Sequence, residues 1–182
     1  VAKQSYTFER SLAIINTVNN QVSKIFFNAP PVCVEMGADR VYVSTYSGKK
    51  IYSILPSDNS LIDSMEMNIP EPAIGTIVYM NAQTLFVLGV ADTAFSSNVG
   101  KRIYKVDMQT KVIDPNFNIM YTGNNDVYGL AYHSSEQKLY AANSKNGTAN
   151  GEVNVYDKDG NLVITYPDIG GKFPKRIAFL NF

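Results

Sequence analysis

A short alternating string of apolar residues returns three times along the chain, and it constrains the fold more than any other feature. The copies lie at residues 40–43 (RVYV), 84–87 (TLFV) and 138–141 (KLYA). Their central aromatic residues, Tyr42, Phe86 and Tyr140, are 44 and 54 residues apart. Each string alternates and is rich in β-branched or aromatic residues, which predicts a strand.

Each of these strands follows another apolar strand and a short polar turn. After a loop of variable length come two more alternating strands, which a polar turn joins. Four short antiparallel strands in units of this length are typical of a β-propeller blade. We therefore predict one all-β domain over residues 1–182, with about four four-stranded antiparallel blades. The blade-like units are residues 1–28 together with 172–182, then 29–68, 72–122 and 126–168.

The two ends of the chain match complementary parts of one blade. Residues 5–7 resemble the end of a second strand, residues 11–27 match the third and fourth strands, and residues 174–179 match a first strand. Three blades are then complete, and the fourth is either a composite of both termini or is completed by missing blades.

An open arc of blades would expose an apolar sheet face, which is unusual in soluble monomers. We therefore expect self-association or missing N-terminal blades to complete a larger ring. The alternative is a closed four-blade ring, in which residues 174–179 pair beside Tyr6.

The string at residues 157–161 (DKDGN) allows two interpretations, half of a calcium loop or a hairpin turn. The other units have an ordinary turn at this place and lack a matching set of carboxylates. A full EF-hand loop also needs a glutamate at its twelfth position, where this chain has Asp168. Aspartate and glycine both suit a tight turn, so we predict a hairpin.

Composition narrows the classes of function. The 16 basic and 16 acidic residues cancel, so nucleic acid is not a predicted partner. No stretch approaches the ~20 apolar residues of a transmembrane helix. The single cysteine, Cys33, lies in an apolar run, and the single histidine, His133, lies at a predicted turn. Nothing in the sequence brings these two together as a nucleophile and its base.

The repeated strings resemble the YncE-like propellers, which are related to the surface-layer and NHL-type families. The strings are VYVSTYSGKKIYSILPSDNSLIDSM, LFVLGV with RIYKVDMQTKVI, LYAANS with EVNVYDKDGNLVITY, and LAIINTVNNQVSKIF. The ending FPKRIAFLNF is similar to the closing strand of exported or lipid-anchored propellers from Bacteroides-type bacteria. The resemblance implies a periplasmic or cell-surface protein. Members usually have seven or eight blades and about twice this length, which implies that this chain is the C-terminal half of a larger ring.

These motifs specify the fold rather than the function. We predict a non-catalytic binding or scaffold propeller of the bacterial cell envelope, without a cofactor or a metal. Its partner would be an unknown protein, peptide or glycan. Asn124, Asn125 and Asp126 precede a predicted first strand, where a connection commonly faces the mouth of the channel, and Tyr128 lies in that strand. We predict that these four residues contact the ligand.

The alternative function is a metal-dependent lyase or lactonase of propeller type, with its active site in the central channel. Lactonases of this kind need acidic and amide residues that converge from several blades. Glu35, Asp39, Asn81 and Asn124 are suitable by type, but their spacing does not support such a set. A chain with one histidine also offers no histidine-rich metal site.

Overall fold

A computed structural model describes residues 9–91, 100–174 and 176–179. These residues form fifteen strands and one turn of 3₁₀ helix, Lys145–Gly147, and they contain no α-helix. The predicted all-β class is therefore confirmed. The strands are β1 (Ser11–Ile15), β2 (Val22–Phe26), β3 (Pro31–Met36), β4 (Val41–Thr45), β5 (Lys50–Leu55), β6 (Ser60–Glu66), β7 (Ala73–Asn81), β8 (Thr84–Val90), β9 (Gly100–Asp107), β10 (Val112–Ile113), β11 (Ile119–Met120), β12 (Val127–His133), β13 (Lys138–Asn143), β14 (Glu152–Asp157) and β15 (Leu162–Tyr166).

The strands pair with antiparallel neighbours in four layers. The first layer is the hairpin β1–β2, and the second is the four-stranded sheet β3–β6. The other strands form one sheet of order β15-β14-β13-β12-β9-β8-β7, with β10 and β11 also paired to β9. In the described residues β12 meets β9 through the single pair Val127 and Gly100. We therefore treat β7–β11 as the third layer and β12–β15 as the fourth.

The second, third and fourth layers lie within the predicted units 29–68, 72–122 and 126–168. The composite blade stays a prediction. Its strands β1 and β2 are present, but residues 167–174 and 176–179 contain no strand. Tyr6, beside which those residues were expected to pair in a closed ring, lies outside the described residues. Within the described part of the chain, no sheet closes on itself.

Strict alternation within the strands lets each layer pack on both of its faces. In β4, Val43 packs towards the first layer, in a cluster with Leu12 and Tyr52, whereas Tyr42 packs towards the third. In β8, Val87 packs in the cluster shared with the second layer, and Phe86 packs in the cluster shared with the fourth. The layers therefore stack in chain order, with apolar clusters between successive layers.

The turns that follow β1, β5, β9 and β14, one in each layer, share a backbone feature. A residue with positive φ lies there in each: Asn20, Asn59, Lys111 and Gly160. In the fourth layer Asp157 organises the turn, because its Oδ1 accepts the N–H groups of residues 159 and 161, both at 2.9 Å. Asp107 Oδ1 does the same in the third layer for the N–H groups of residues 109 and 110. The predicted hairpin at 157–161 is present.

Candidate functional site: a central cleft

The first strands of the second, third and fourth layers, β3, β7 and β12, line a cleft of about 320 Å³. Strand β3 contributes Cys33 and Glu35, β7 contributes residues 76–78, and β12 contributes residues 130–132. Residues 177–179 of the C-terminal segment form a further wall. Three layers and a terminal segment thus meet at one place, which we call the central cleft.

Side chains of the second layer hold the edge of β7 beside this cleft. Strand β7 has β8 on one side only, so main-chain groups on its other edge need partners. Three alternate residues of β7 receive one. The bonds run from Ser44 Oγ to Gly75 O (2.8 Å), from Cys33 Sγ to Ile77 O (3.6 Å) and from Tyr79 N–H to Glu35 Oε1 (2.9 Å).

Partial burial perturbs both ionisable side chains that β3 contributes. Burial raises the pKa of Glu35, and the hydrogen bond from the Tyr79 N–H opposes that rise. Burial also raises the pKa of the Cys33 thiol, which favours the unreactive thiol over the thiolate. His133 ends β12, where its Nδ1 lies 3.2 Å from Ser135 Oγ in the turn. No described contact joins His133 to Cys33.

The C-terminal segment crosses the end of the fourth layer to reach the cleft. Gly151, in the loop before β14, accepts the N–H of Ile169 at 3.0 Å and donates its own N–H to Gly171 O at 2.6 Å. Phe173 then packs edge-on against Tyr128, with ring centroids 5.8 Å apart. These contacts fasten the segment to the fourth layer without a strand.

The end of this segment lies where a following layer would pack. In the second and third layers the aromatic residue of the repeated string, Tyr42 or Phe86, faces the next layer. In the fourth layer the equivalent residue is Tyr140, and Phe179 packs on it with ring centroids 5.0 Å apart. Phe179 also lies edge-on to His133, at 4.6 Å. The chain itself thus covers part of this face.

The four predicted ligand contacts do not line the central cleft. Asn124 is exposed in a turn, Asn125 is half-buried and Asp126 is buried. Asn125 and Asp126 both bond to Asn143, the last residue of β13. Tyr128 lies under the C-terminal segment. Ligand binding by these residues stays a prediction, and the structure adds that Asn125 and Asp126 support the end of the fourth layer.

Asn143 is the centre of a hydrogen-bonded cluster that we call the Asn143 network: Asn125, Asp126, Asn143, Lys145, Glu152 and Asn154. The Asn143 side chain is buried and makes four bonds. Its Oδ1 accepts the N–H groups of Asp126 (3.0 Å) and Lys145 (3.1 Å), and its Nδ2 donates to Asn125 Oδ1 (3.1 Å) and Glu152 Oε1 (3.0 Å). This one amide therefore ties the start of β12 to the start of β14.

Glu152 is also fully engaged in this network. Its carboxylate receives Lys145 Nζ at 2.8 Å and Asn154 Nδ2 at 3.2 Å, besides the bond from Asn143. Burial alone would raise the pKa of Glu152, but these hydrogen bonds outweigh burial and hold the pKa below its ordinary value. Asn154 Oδ1 in turn accepts the hydroxyl of Tyr121 at 3.1 Å, and that hydroxyl lies 2.8 Å from the hydroxyl of Tyr156.

Two of the four residues suitable by type for a lactonase metal site, Asn81 and Asp39, make contacts within their own turns. Asn81 Oδ1 accepts the N–H groups of residues 83 and 84 in its own turn, and Asp39 pairs with Arg40 at 3.3 Å. Among the described residues, no group of three or more His, Cys, Asp or Glu side chains could hold a metal ion. That part of the chain also contains no helix long and apolar enough to cross a membrane.

Sequence reasoning missed the roles of Asn143, Glu152 and the C-terminal segment, and it considered Glu35 only as a metal ligand by type. The signal for Glu35 was available, because it is the one carboxylate inside the apolar string of β3. Asn143 gave no such signal. It resembles any polar residue at the end of a strand, and its partners are distant in sequence.

No protein-family model matches the chain, and no curated protein matches its sequence. Solved structures do match. One is a chain of the crystal structure of a mitotic checkpoint complex, with a TM-score of 0.66 and 14% identity over 90% of this chain and 46% of that chain. Another is the Kuenenia stuttgartiensis hydrazine synthase, with a TM-score of 0.64 and 13% identity over 86% and 43%. The chain thus spans less than half the length of these two chains. The likeness shows the fold alone, which is all-β and of propeller type.

Proposed function

We propose that this chain is a non-catalytic binding or scaffold module, and that its ligand is a peptide or protein segment that enters the central cleft. The observation that carries the proposal is the cleft itself, where three inner strands meet and residues 177–179 form a wall. In this proposal the four layers are blades of a propeller, and a second copy or further blades extend the stack.

The C-terminal segment supports a peptide as the ligand. Residues 177–179 form no strand, yet they lie against the cleft, and Phe179 packs on two aromatic rings of the fourth layer. The walls of the cleft therefore already accept an irregular stretch of polypeptide. Leu130 and Ala131 add apolar surface from β12, which suits an apolar side chain better than a sugar ring.

A similar chain belongs to a mitotic checkpoint complex, which is a protein assembly. This likeness is compatible with a scaffold role. The proposed place in the bacterial cell envelope rests on the sequence resemblance alone. The metal-dependent lyase or lactonase remains the alternative.

Arrays of peptides and glycans test the proposal when they are probed with the wild type and two matched variants. Ala131→Phe fills the cleft from β12, whereas Ala38→Phe adds the same ring in an exposed turn between β3 and β4. We expect peptide binding that Ala131→Phe abolishes and Ala38→Phe leaves intact. Turnover of a lactone or a cyclic peptide antibiotic, lost in Ala131→Phe alone, would show an enzyme instead.

A further inference from the structure

The central cleft contains one carboxylate, and none of the other described residues that line it carries a charge. Among the described residues that line it, Glu35 is the single charged side chain, and the others are apolar, hydroxyl or thiol groups. The described contacts of Glu35 include no lysine or arginine, since its one hydrogen bond comes from the N–H of Tyr79. The described lining of the cleft therefore supplies no counter-ion for this carboxylate.

Glu35 has acceptor capacity to spare. A carboxylate has two oxygens with about four lone-pair sites, and the described hydrogen bond uses one site on Oε1. Partial burial without a cation raises the pKa of Glu35, because removal from water disfavours the charged form. A positively charged ligand group beside the carboxylate would remove that disadvantage.

We infer that the central cleft takes ligands with a cationic group, a primary ammonium or a guanidinium, on an apolar body, with the Glu35 carboxylate as the counter-ion. The inference rests on the proposed function and names the chemistry of its ligand. The volume of about 320 Å³ is at the small end of ligand pockets, which span about 300–1,000 Å³. One lysine or arginine side chain of a peptide is therefore a suitable occupant.

The apolar lining of the cleft accounts for the apolar body of the ligand. Ile177 and Phe179, both half-buried, present apolar side chains from the C-terminal segment, and Leu130 adds a smaller apolar surface from β12. The methylene stem of lysine or arginine packs against such surfaces while its charged head finds a polar partner. A charge-assisted hydrogen bond to Glu35 would fix the head, because such bonds are stronger than neutral ones.

Two small probes isolate the charge. Phenethylammonium and 2-phenylethanol share a ring and a two-carbon chain, and they differ in the ammonium or hydroxyl head. Their affinities are measured by NMR titration near neutral pH, on signals of residues 33–35, 76–78 and 130–132. Wild type should bind the ammonium at least about tenfold more tightly than the alcohol.

Two variants locate the effect. Glu35→Gln should abolish the preference for the ammonium, while its amide oxygen can still accept the Tyr79 N–H and keep the strand contact. Glu66→Gln, the same change on the exposed side chain at the end of β6, should keep the preference. If the wild type binds both probes with equal affinity, the inference is overturned, although the cleft is still a binding site. This outcome can be interpreted without the variants. If neither probe changes the NMR signals of the cleft residues while array peptides bind elsewhere, the inference is overturned. The proposal that the cleft is the binding site is then overturned as well.

Discussion

Glu152, at the start of β14, and Glu35, in β3, are both partly buried glutamates. Their surroundings shift their pKa values in opposite directions. Glu152 receives hydrogen bonds from Lys145, Asn143 and Asn154, and its pKa lies below the ordinary value. Glu35 receives one described bond, from a backbone N–H, and its pKa lies above the ordinary value.

This difference distinguishes a carboxylate that stabilises the fold, Glu152, from one that can bind a ligand, Glu35. Buried polar groups in folded proteins are almost always hydrogen-bonded, so burial and polarity alone do not indicate function. Glu152 has its partners within the chain, and it stabilises the end of the fourth layer. Glu35 lies beside open space with unused acceptor sites. Three predictions test this contrast, in order of decreasing expected effect.

The largest effect is expected from Asn143→Ala. The substitution removes four hydrogen bonds from a side chain that is 1% exposed, and it leaves Glu152 and the Asp126 N–H short of partners. At about 0.5–1.5 kcal/mol for each bond, we expect a loss of about 3 kcal/mol in the free energy of unfolding. Urea denaturation followed by circular dichroism measures it.

Asn124→Ala is the matched control for this change. Asn124 is exposed in the turn before the same network, so its substitution should change stability by less than about 0.5 kcal/mol. Equal losses in the two variants would mean that the Asn143 network does not stabilise the fourth layer. The contrast with the central cleft would then have no energetic basis.

A smaller loss is expected from Tyr121→Phe. The change keeps the buried ring but removes the hydroxyl that bonds Asn154 Oδ1 and lies beside the Tyr156 hydroxyl. Both partners stay buried, so the expected loss is about 1–2 kcal/mol. Tyr166→Phe, on the half-exposed edge strand β15, should cost less than about 0.5 kcal/mol. A Tyr121→Phe protein as stable as the wild type would show that the network ends at Asn154.

The fold was predictable because its main determinants are local and repeated. The alternation around Tyr42, Phe86 and Tyr140 fixes which residues face each neighbouring layer. A turn with positive φ also recurs in every layer, after β1, β5, β9 and β14. Asp157 illustrates the point. Its sequence context favours a hairpin, and its carboxylate makes the hydrogen bonds of one.

The site was less predictable because it depends on contacts between distant parts of the chain. Asn143 meets Asp126 only after β13 pairs with β12, and no local pattern distinguishes it from exposed Asn124. Glu35 bonds Tyr79 in the next layer. The C-terminal residues resemble an inner strand in sequence, but those that are described form no strand and pack through Phe179. Such contacts follow from the packing of whole layers.

The smallest effects, and the most diagnostic, concern pH. Both glutamates have an ordinary pKa of 4.5. Glu152, with a lowered pKa in the folded protein, contributes stability above pH 4.5 that is lost as the pH falls through its folded-state pKa. Glu35, with a raised pKa, contributes stability below pH 4.5 that is lost as the pH rises through its folded-state pKa. The two contributions therefore change in opposite directions.

Glu152→Gln and Glu35→Gln convert this contrast into one measurement, the free energy of unfolding of each variant and of the wild type from about pH 7 to about pH 3. As the pH falls, the advantage of the wild type over Glu152→Gln should shrink, because protonation removes the charge that Lys145 and the two amides stabilise. Over the same range the wild type should gain on Glu35→Gln, because protonation relieves a carboxylate that burial disfavours and that no described cation compensates. If both differences move in the same direction, the two glutamates share one kind of environment. Glu35 would then be a structural residue like Glu152, and the central cleft would lose its distinguishing group.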